Sequence, residues 1–142
     1  MKKVLFICHG NICRSVSAQY IMEDSAKKNG VELYVSSAAT SREEIGNDIY
    51  SPAKRKLKEK GVPFSRHYAR QATMSDYLSY DYLICMDENN VRNLNRMFNN
   101  DPDHKIYKLL SRDVSDPWYT NDFETAYNDI YEGCKAWLEK LS

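Results

Sequence analysis

An excess of charge, a long apolar stretch and a cysteine framework are all missing from this chain of 142 residues. Its 20 basic side chains are matched by 20 acidic ones. No whole-molecule field therefore draws it to nucleic acid or to an anionic membrane, and any anion site has to be built locally. The apolar run after Lys2 and Lys3 stops after about five residues, short of the ~7–15 of a secretory signal core. Nothing reaches the ~20 apolar residues of a membrane span, so a cytoplasmic protein is expected. The four cysteines, Cys8, Cys13, Cys85 and Cys134, follow no framework spacing, and a chain of this length buries a core without disulfides. Reduced thiols are the expectation. Internal repeats, low-complexity tracts and linkers are also missing, which favours a single domain over residues 1–142.

What is present is an alternation of short apolar runs with helical patterns. Lys3 to Cys8 reads as a buried strand, and Arg14 to Lys28 as a helix stopping at Asn29-Gly30. Glu32 to Ser36 reads as a second strand, followed by a loop to Pro52 and a basic helix closing at Gly61. Tyr82 to Met86 is a third strand, Asp87 to Phe98 a helix, Lys105 to Leu109 a fourth strand, and Ser111 to Asn121 an irregular loop. Phe123, Tyr127, Ile130, Cys134, Trp137 and Leu141 recur at helical steps, with Asn121 and Glu124 as a capping box. This pattern predicts an α/β fold with a parallel sheet covered on both faces. Ligands in such sheets bind at the carboxyl ends of strands.

The stretch "CHGNICRS", residues 8–15, occupies that position after the first strand. Cys-x5-Arg alone is weak, since chance supplies roughly 0.2 matches in a chain of this composition. Its setting makes it informative. Gly10 and Asn11 tolerate left-handed dihedrals, which lets successive amides turn inward around an anion. The amino end of the following helix adds donors, and Arg14 adds a planar fork for two phosphate oxygens. The same positive surroundings favour the thiolate form of Cys8, making it a nucleophile, with Ser15 able to donate to the sulfur. A phenolate leaving group needs a proton, and Asp116 in "DVSDPWYTND" is the candidate acid. Trp118 and Tyr119 beside it are placed to sandwich a flat ring.

"VLFICHGNICRS" together with "SDPWYTND", and with "HYAR" and "ICMDENN" in order between them, resembles the low-molecular-weight protein tyrosine phosphatase family over the whole chain. The resemblance implies a three-layer α/β/α fold on a central four-stranded parallel sheet, with the phosphate-binding loop after the first strand. It also implies a two-step phosphocysteine mechanism on phosphotyrosine proteins, with phosphate as product. The enzyme would be a cytoplasmic monomer needing neither metal nor other cofactor. By this likeness Cys8 is the nucleophile, Arg14 the phosphate clamp and Asp116 the general acid. His9, Gly10, Asn11, Ile12, Cys13 and Ser15 surround the substrate phosphate, and Trp118 and Tyr119 flank its ring. Asn11, Ser15 and His67 would support the loop, and Cys13 would be the redox partner of Cys8. The chain departs from the family pattern at Val16, where proline commonly stands, and at Ala39, where many members have glycine. Glu43 stands where many eukaryotic members place a tryptophan on the cleft wall.

Blander readings exist for each residue. Free cysteine is commonly buried, Asp-Pro is a common turn with Asp113 nearby, and Cys13, Trp118 and Tyr119 are also plausible as plain packing residues. Cys85 and Cys134 read as core. The run "KRKLKEK", residues 54–60, reads as a solvated helix face. Rival functions on the same scaffold are arsenate reduction and phosphoarginine hydrolysis. The first lacks a cysteine partner between Asp87 and Leu110; the second is associated with threonine where this chain has Ile12. A non-catalytic phosphate-binding module would need neither Cys8 nor Asp116. A zinc site lacks a second ligand pair, and the nucleotide P-loop lacks its Gly-Lys-Ser/Thr.

Overall fold

A computed structural model describes residues 1–142. Strand β1 (Lys2–Cys8) is central: it pairs in parallel with β2 (Leu33–Ala39) on one side and β3 (Tyr82–Cys85) on the other. Strand β4 (Ile106–Lys108) joins β3, giving the order β2-β1-β3-β4 with every pairing parallel. The register sets Ile7 beside both Ala38 and Cys85, so β1, β2 and β3 end level with one another. This is the expected four-stranded sheet.

The apolar run of β1 is continuous because both of its faces are covered. Val4, Phe6 and Cys8 point into one core, shared with α1 (Arg14–Lys28), α2 (Ser51–Glu59) and α6 (Phe123–Leu141). Leu5 and Ile7 point into the other, beneath α3 (Met74–Ser79) and α4 (Glu88–Met97), where Tyr77, Leu94 and Phe98 close over them. Leu5, Phe6 and Ile7 are fully buried, each worth roughly 1.5–3 kcal/mol of transfer free energy. Helix α6 seats closely on the sheet: Trp137 Nε1 donates to the Leu109 carbonyl at 3.1 Å. A Cβ on Gly133 would run into the Leu109 side chain.

The elements differ from the sequence reading in five ways. Strand β2 runs on to Ala39 instead of stopping at Ser36, because Ser36 to Ala39 pair with Leu5 to Cys8. The Ser37 hydroxyl is satisfied by Gln19 at 2.6 Å. Helix α3 was not read from the sequence; Thr73 and Asp76 form its capping box. A one-turn helix, α5 (Pro117–Thr120), interrupts the loop before α6, with Asp116 as its cap. Asn121 closes α5 in the left-handed region at φ 59°, so the cap of α6 is Asp122, which accepts from the Thr125 amide at 3.0 Å. The basic face of α2 is tied down as well as solvated: Lys54 pairs with Asp48, and Lys56 and Lys60 both reach Glu124 of α6. No helix is long and apolar enough to cross a membrane.

Candidate active site

The chain direction changes sides of the sheet at β1: the connection through α1 leads to β2, while β3 lies on the other flank. At such a switch point the loops leaving two neighbouring strands diverge and open a crevice. The loop after β1 and the start of α4 after β3 bound it here.

Residues 8–14 form the floor of a cleft of about 380 Å³, with Glu44, Asp116 and Trp118 on its walls. The floor has an inward turn because Asn11 sits at φ 63°. That conformation is rarely adopted by a residue with a side chain, and asparagine is among the most tolerant. The turn brings the Asn11 amide to 3.2 Å from Cys8 Sγ. Three contacts hold Asn11 there. Its carbonyl accepts from His67 Nε2 at 2.7 Å, its Oδ1 accepts from the Arg70 amide at 3.2 Å, and its Nδ2 donates to Ser15 Oγ at 2.8 Å. Ser15 Oγ in turn lies 3.0 Å from Cys8 Sγ. Because the serine oxygen already accepts from Asn11, its hydrogen is free to point at the sulfur. Asn11 and Ser15 are fully buried, so these hydrogen bonds are shielded from solvent.

Helix α1 begins immediately after the loop, with no side chain capping its first amides and no acidic residue in its first turn. The positive end of the helix dipole therefore meets the cleft without a capping side chain of its own. Val16, the departure from proline, is fully buried in the core and leaves this geometry in place.

Arg14 is 3 % exposed. Its Nη1 donates to Asp87 Oδ2 and to the Val114 carbonyl, both at 2.9 Å, and its Nη2 donates to Asp116 Oδ2 at 3.3 Å. Burial alone would lower its pKa, but Cys8, Asp116 and Asp87 together hold it above the ordinary arginine value. Asp87 was read only as a helix start. It is that as well, accepting from the Asn90 amide at 2.8 Å through its other oxygen. The available signal was its position just past the β3 strand, at the same sheet end as Cys8.

Asp116 meets Trp118 through its Oδ1, which accepts from the Trp118 amide at 3.1 Å, and Arg14 through Oδ2. Asp113 points elsewhere, to Lys108 Nζ at 2.7 Å and the Glu88 amide at 3.1 Å, so the two nearby aspartates are told apart by geometry. Trp118 lines the cleft, but Tyr119 is 83 % exposed and lies outside it. The expected aromatic sandwich is thus one-sided, because consecutive residues of a one-turn helix face different ways. Glu44, which the sequence reading passed over, also lines the cleft. Its stem lies over Gly10, where an added Cβ would come to 3.3 Å from Glu44 Cγ. Its carboxylate accepts from Asn47 Nδ2. Glu43 lies further out and pairs with His9 Nε2 at 2.8 Å across the rim. Ala39 is buried, linking its strand to Arg70 and Ala72.

His67 is buried and its pKa is lowered, mainly by desolvation. Cys13 is buried between the cleft and the α6 side, and burial, with Cys8 as the next cause, pushes its thiol far up. Cys85 and Cys134 are fully buried in the two cores. Chemically, the arrangement offers a sulfur beneath inward donors, a buried guanidinium and a carboxyl at the mouth.

Known proteins resemble the chain over its whole length. A family model described as low molecular weight phosphotyrosine protein phosphatase matches residues 3–142. The human low molecular weight phosphotyrosine protein phosphatase is 42% identical over 151 aligned residues, covering 98% of this chain and 95% of its own. The Bacillus subtilis low molecular weight protein-tyrosine-phosphatase YfkJ is 35% identical, with 99% and 96% covered. The crystal structure of SP-PTP, a low molecular weight protein tyrosine phosphatase from Streptococcus pyogenes, superposes with a TM-score of 0.95 at 40% identity, covering 100% of this chain and 94% of its own. With the sheet order, the loop after β1 and near-complete coverage all in agreement, the chain belongs to the low molecular weight phosphotyrosine protein phosphatase family.

Proposed function

We propose that the protein hydrolyses phosphotyrosine in protein substrates through a phosphocysteine intermediate on Cys8. The observation that carries this reading is the placement of Cys8 Sγ, 3.2 Å from the Asn11 amide and 3.0 Å from Ser15 Oγ, on the floor of a cleft whose mouth holds Asp116. Donors aimed at the sulfur fix its position on the cleft floor, from which it can attack phosphorus.

In the first step Cys8 Sγ bonds to phosphorus while the ester P–O bond breaks, and Asp116 gives its proton to the departing phenolate oxygen. In the second, the Asp116 carboxylate takes a proton from water, the water oxygen bonds to phosphorus and the S–P bond breaks. Free phosphate leaves and the thiolate is restored. Arg14 and the amides of residues 9–15 hold the three non-bridging oxygens, whose charge needs stabilisation in the transition state. Arg14 moves from Asp116 toward substrate, which frees the carboxyl to protonate the leaving group. The guanidinium and amides supply the charge that a metal provides elsewhere, so the step requires no metal. Every participating residue comes from one chain, so a monomer suffices. Four free cysteines suit a reducing cytoplasm.

Ile12 and Trp118 on the cleft favour an aryl substrate. Cys13, unpaired on the same loop as Cys8, would serve as the resolving partner once a peroxide oxidises Cys8 to a sulfenic acid, its sulfur bonding to Cys8 as its proton and the hydroxyl leave as water; its burial, which holds the proton on, makes that step slow. The test is one assay with phosphotyrosine, phosphoserine, phosphoarginine and arsenate side by side. Phosphotyrosine is expected to turn over fastest, without added metal and not at all in Cys8→Ser. Loss of turnover with chelator, or retention in Cys8→Ser, would overturn the mechanism.

A further inference from the structure

We infer that Tyr50 is a positioning residue for aryl recognition, acting through Trp118. This rests on the phosphatase reading above and names how one wall of that cleft is held. Trp118 is half exposed and belongs to a helix of only four residues, α5. So short a helix has little stiffness of its own. The Tyr50 ring stands 4.8 Å from the Trp118 ring at an interplanar angle of 51°, and 6.1 Å from the ring of Phe123, the first residue of α6. Tyr50 therefore bridges the one-turn helix to a long one.

Tyr50 also meets the phosphate side of the site, by a different part of the residue. Its amide donates to the Ile12 carbonyl at 2.9 Å, tying the start of α2 to the loop floor. Ile12 and Trp118 both line the cleft, so the main chain of Tyr50 is registered to the floor while its side chain is registered to the wall. The separation between floor and wall decides whether a bound aromatic ring meets the indole. A substitution that changes the ring alone leaves the Ile12 bond intact and removes the ring's contacts with Trp118 and Phe123.

Losing one aromatic contact corresponds to roughly a 2- to 12-fold change in an equilibrium constant. Tyr50→Ala is expected to raise KM for phosphotyrosine and for p-nitrophenyl phosphate by that factor, with kcat little changed. Competitive inhibition by inorganic phosphate should stay at its original strength, because the loop floor is untouched. Tyr50→Phe should restore KM. Trp118→Ala should raise KM by a similar factor, and adding Tyr50→Ala to it should raise KM no further. If the alanine variant fails to fold, Tyr50→Leu, which keeps bulk without the aromatic face, takes the same tests.

An unchanged KM in a folded Tyr50 variant would overturn the inference. So would phosphate inhibition weakened in parallel with KM, or effects of Tyr50 and Trp118 that simply multiply. Cys8→Ser separates this result from the phosphatase reading: that variant retains activity only if the mechanism itself is wrong.

Discussion

Arg14 and Asp87, 73 residues apart in sequence, share a hydrogen bond of 2.9 Å in which the guanidinium side is almost wholly buried. The pair orients the fork of Arg14 toward the cleft and lets Asp87 cap α4 with its second oxygen. Breaking a buried pair by removing one partner costs about 3–5 kcal/mol, since a charge is left without compensation. Asp87→Ala should destabilise by less than that in urea unfolding, because Asp116 and the Val114 carbonyl still face Arg14. Asp87→Asn should lose less, because asparagine keeps the cap.

Arg14→Lys is expected to fold yet to lose activity on the order of 10²–10³ in kcat, as removal of one transition-state donor does elsewhere. Lysine keeps the charge but not the planar pair of donors. Steady-state kinetics beside circular dichroism would check it; activity within a few-fold of the parent would show that charge alone holds the phosphate.

For Asp116 the expected signature is dependence on the leaving group. General acid catalysis contributes typically 10²–10⁴-fold, and its loss matters most when the departing oxygen is most basic. Asp116→Ala should therefore slow phosphotyrosine hydrolysis far more than hydrolysis of an ester of a more acidic phenol such as p-nitrophenyl phosphate. An equal loss on both would assign Asp116 to the turn that starts α5 and not to proton transfer.

His67 supplies a pH dependence of stability. Its folded pKa lies below the ordinary 6.5, chiefly through desolvation. At pH values just under 6.5 the unfolded chain therefore takes up a proton that the folded chain resists, and stability falls as pH drops through that window. Above it both states are neutral at this residue and the contribution to the slope vanishes. His67→Gln keeps a donor toward the Asn11 carbonyl and should flatten the decline in melting temperature over that window. A slope identical to the parent's would place the titration on other groups.

Gly133 offers a packing test. Alanine favours helix by about 1 kcal/mol over glycine, but its methyl would clash with Leu109 Cγ. Overpacking of that kind costs typically ~1–3 kcal/mol, so Gly133→Ala should lower the melting temperature in spite of its propensity. Leu109→Ala in the same chain should recover part of the overpacking loss.

The sequence by itself determined the loop. Cys8, Gly10, Asn11, Arg14 and Ser15 are near neighbours in the chain, and a strand end, one left-handed residue and a helix start place them within reach of one another. Local dihedral preference and spacing suffice for that, and the alternation of strands and helices extends the same logic to the sheet. Tertiary structure alone decided what surrounds the loop. Asp87, Val114 and Asp116 reach Arg14 from 73, 100 and 102 residues away, and Glu44 enters the cleft because Gly10 leaves room for its stem. It also turned Trp118 inward and Tyr119 outward and propped the former on Tyr50. Those contacts depend on strand order and helix packing, which bring together segments whose local preferences carry no information about one another.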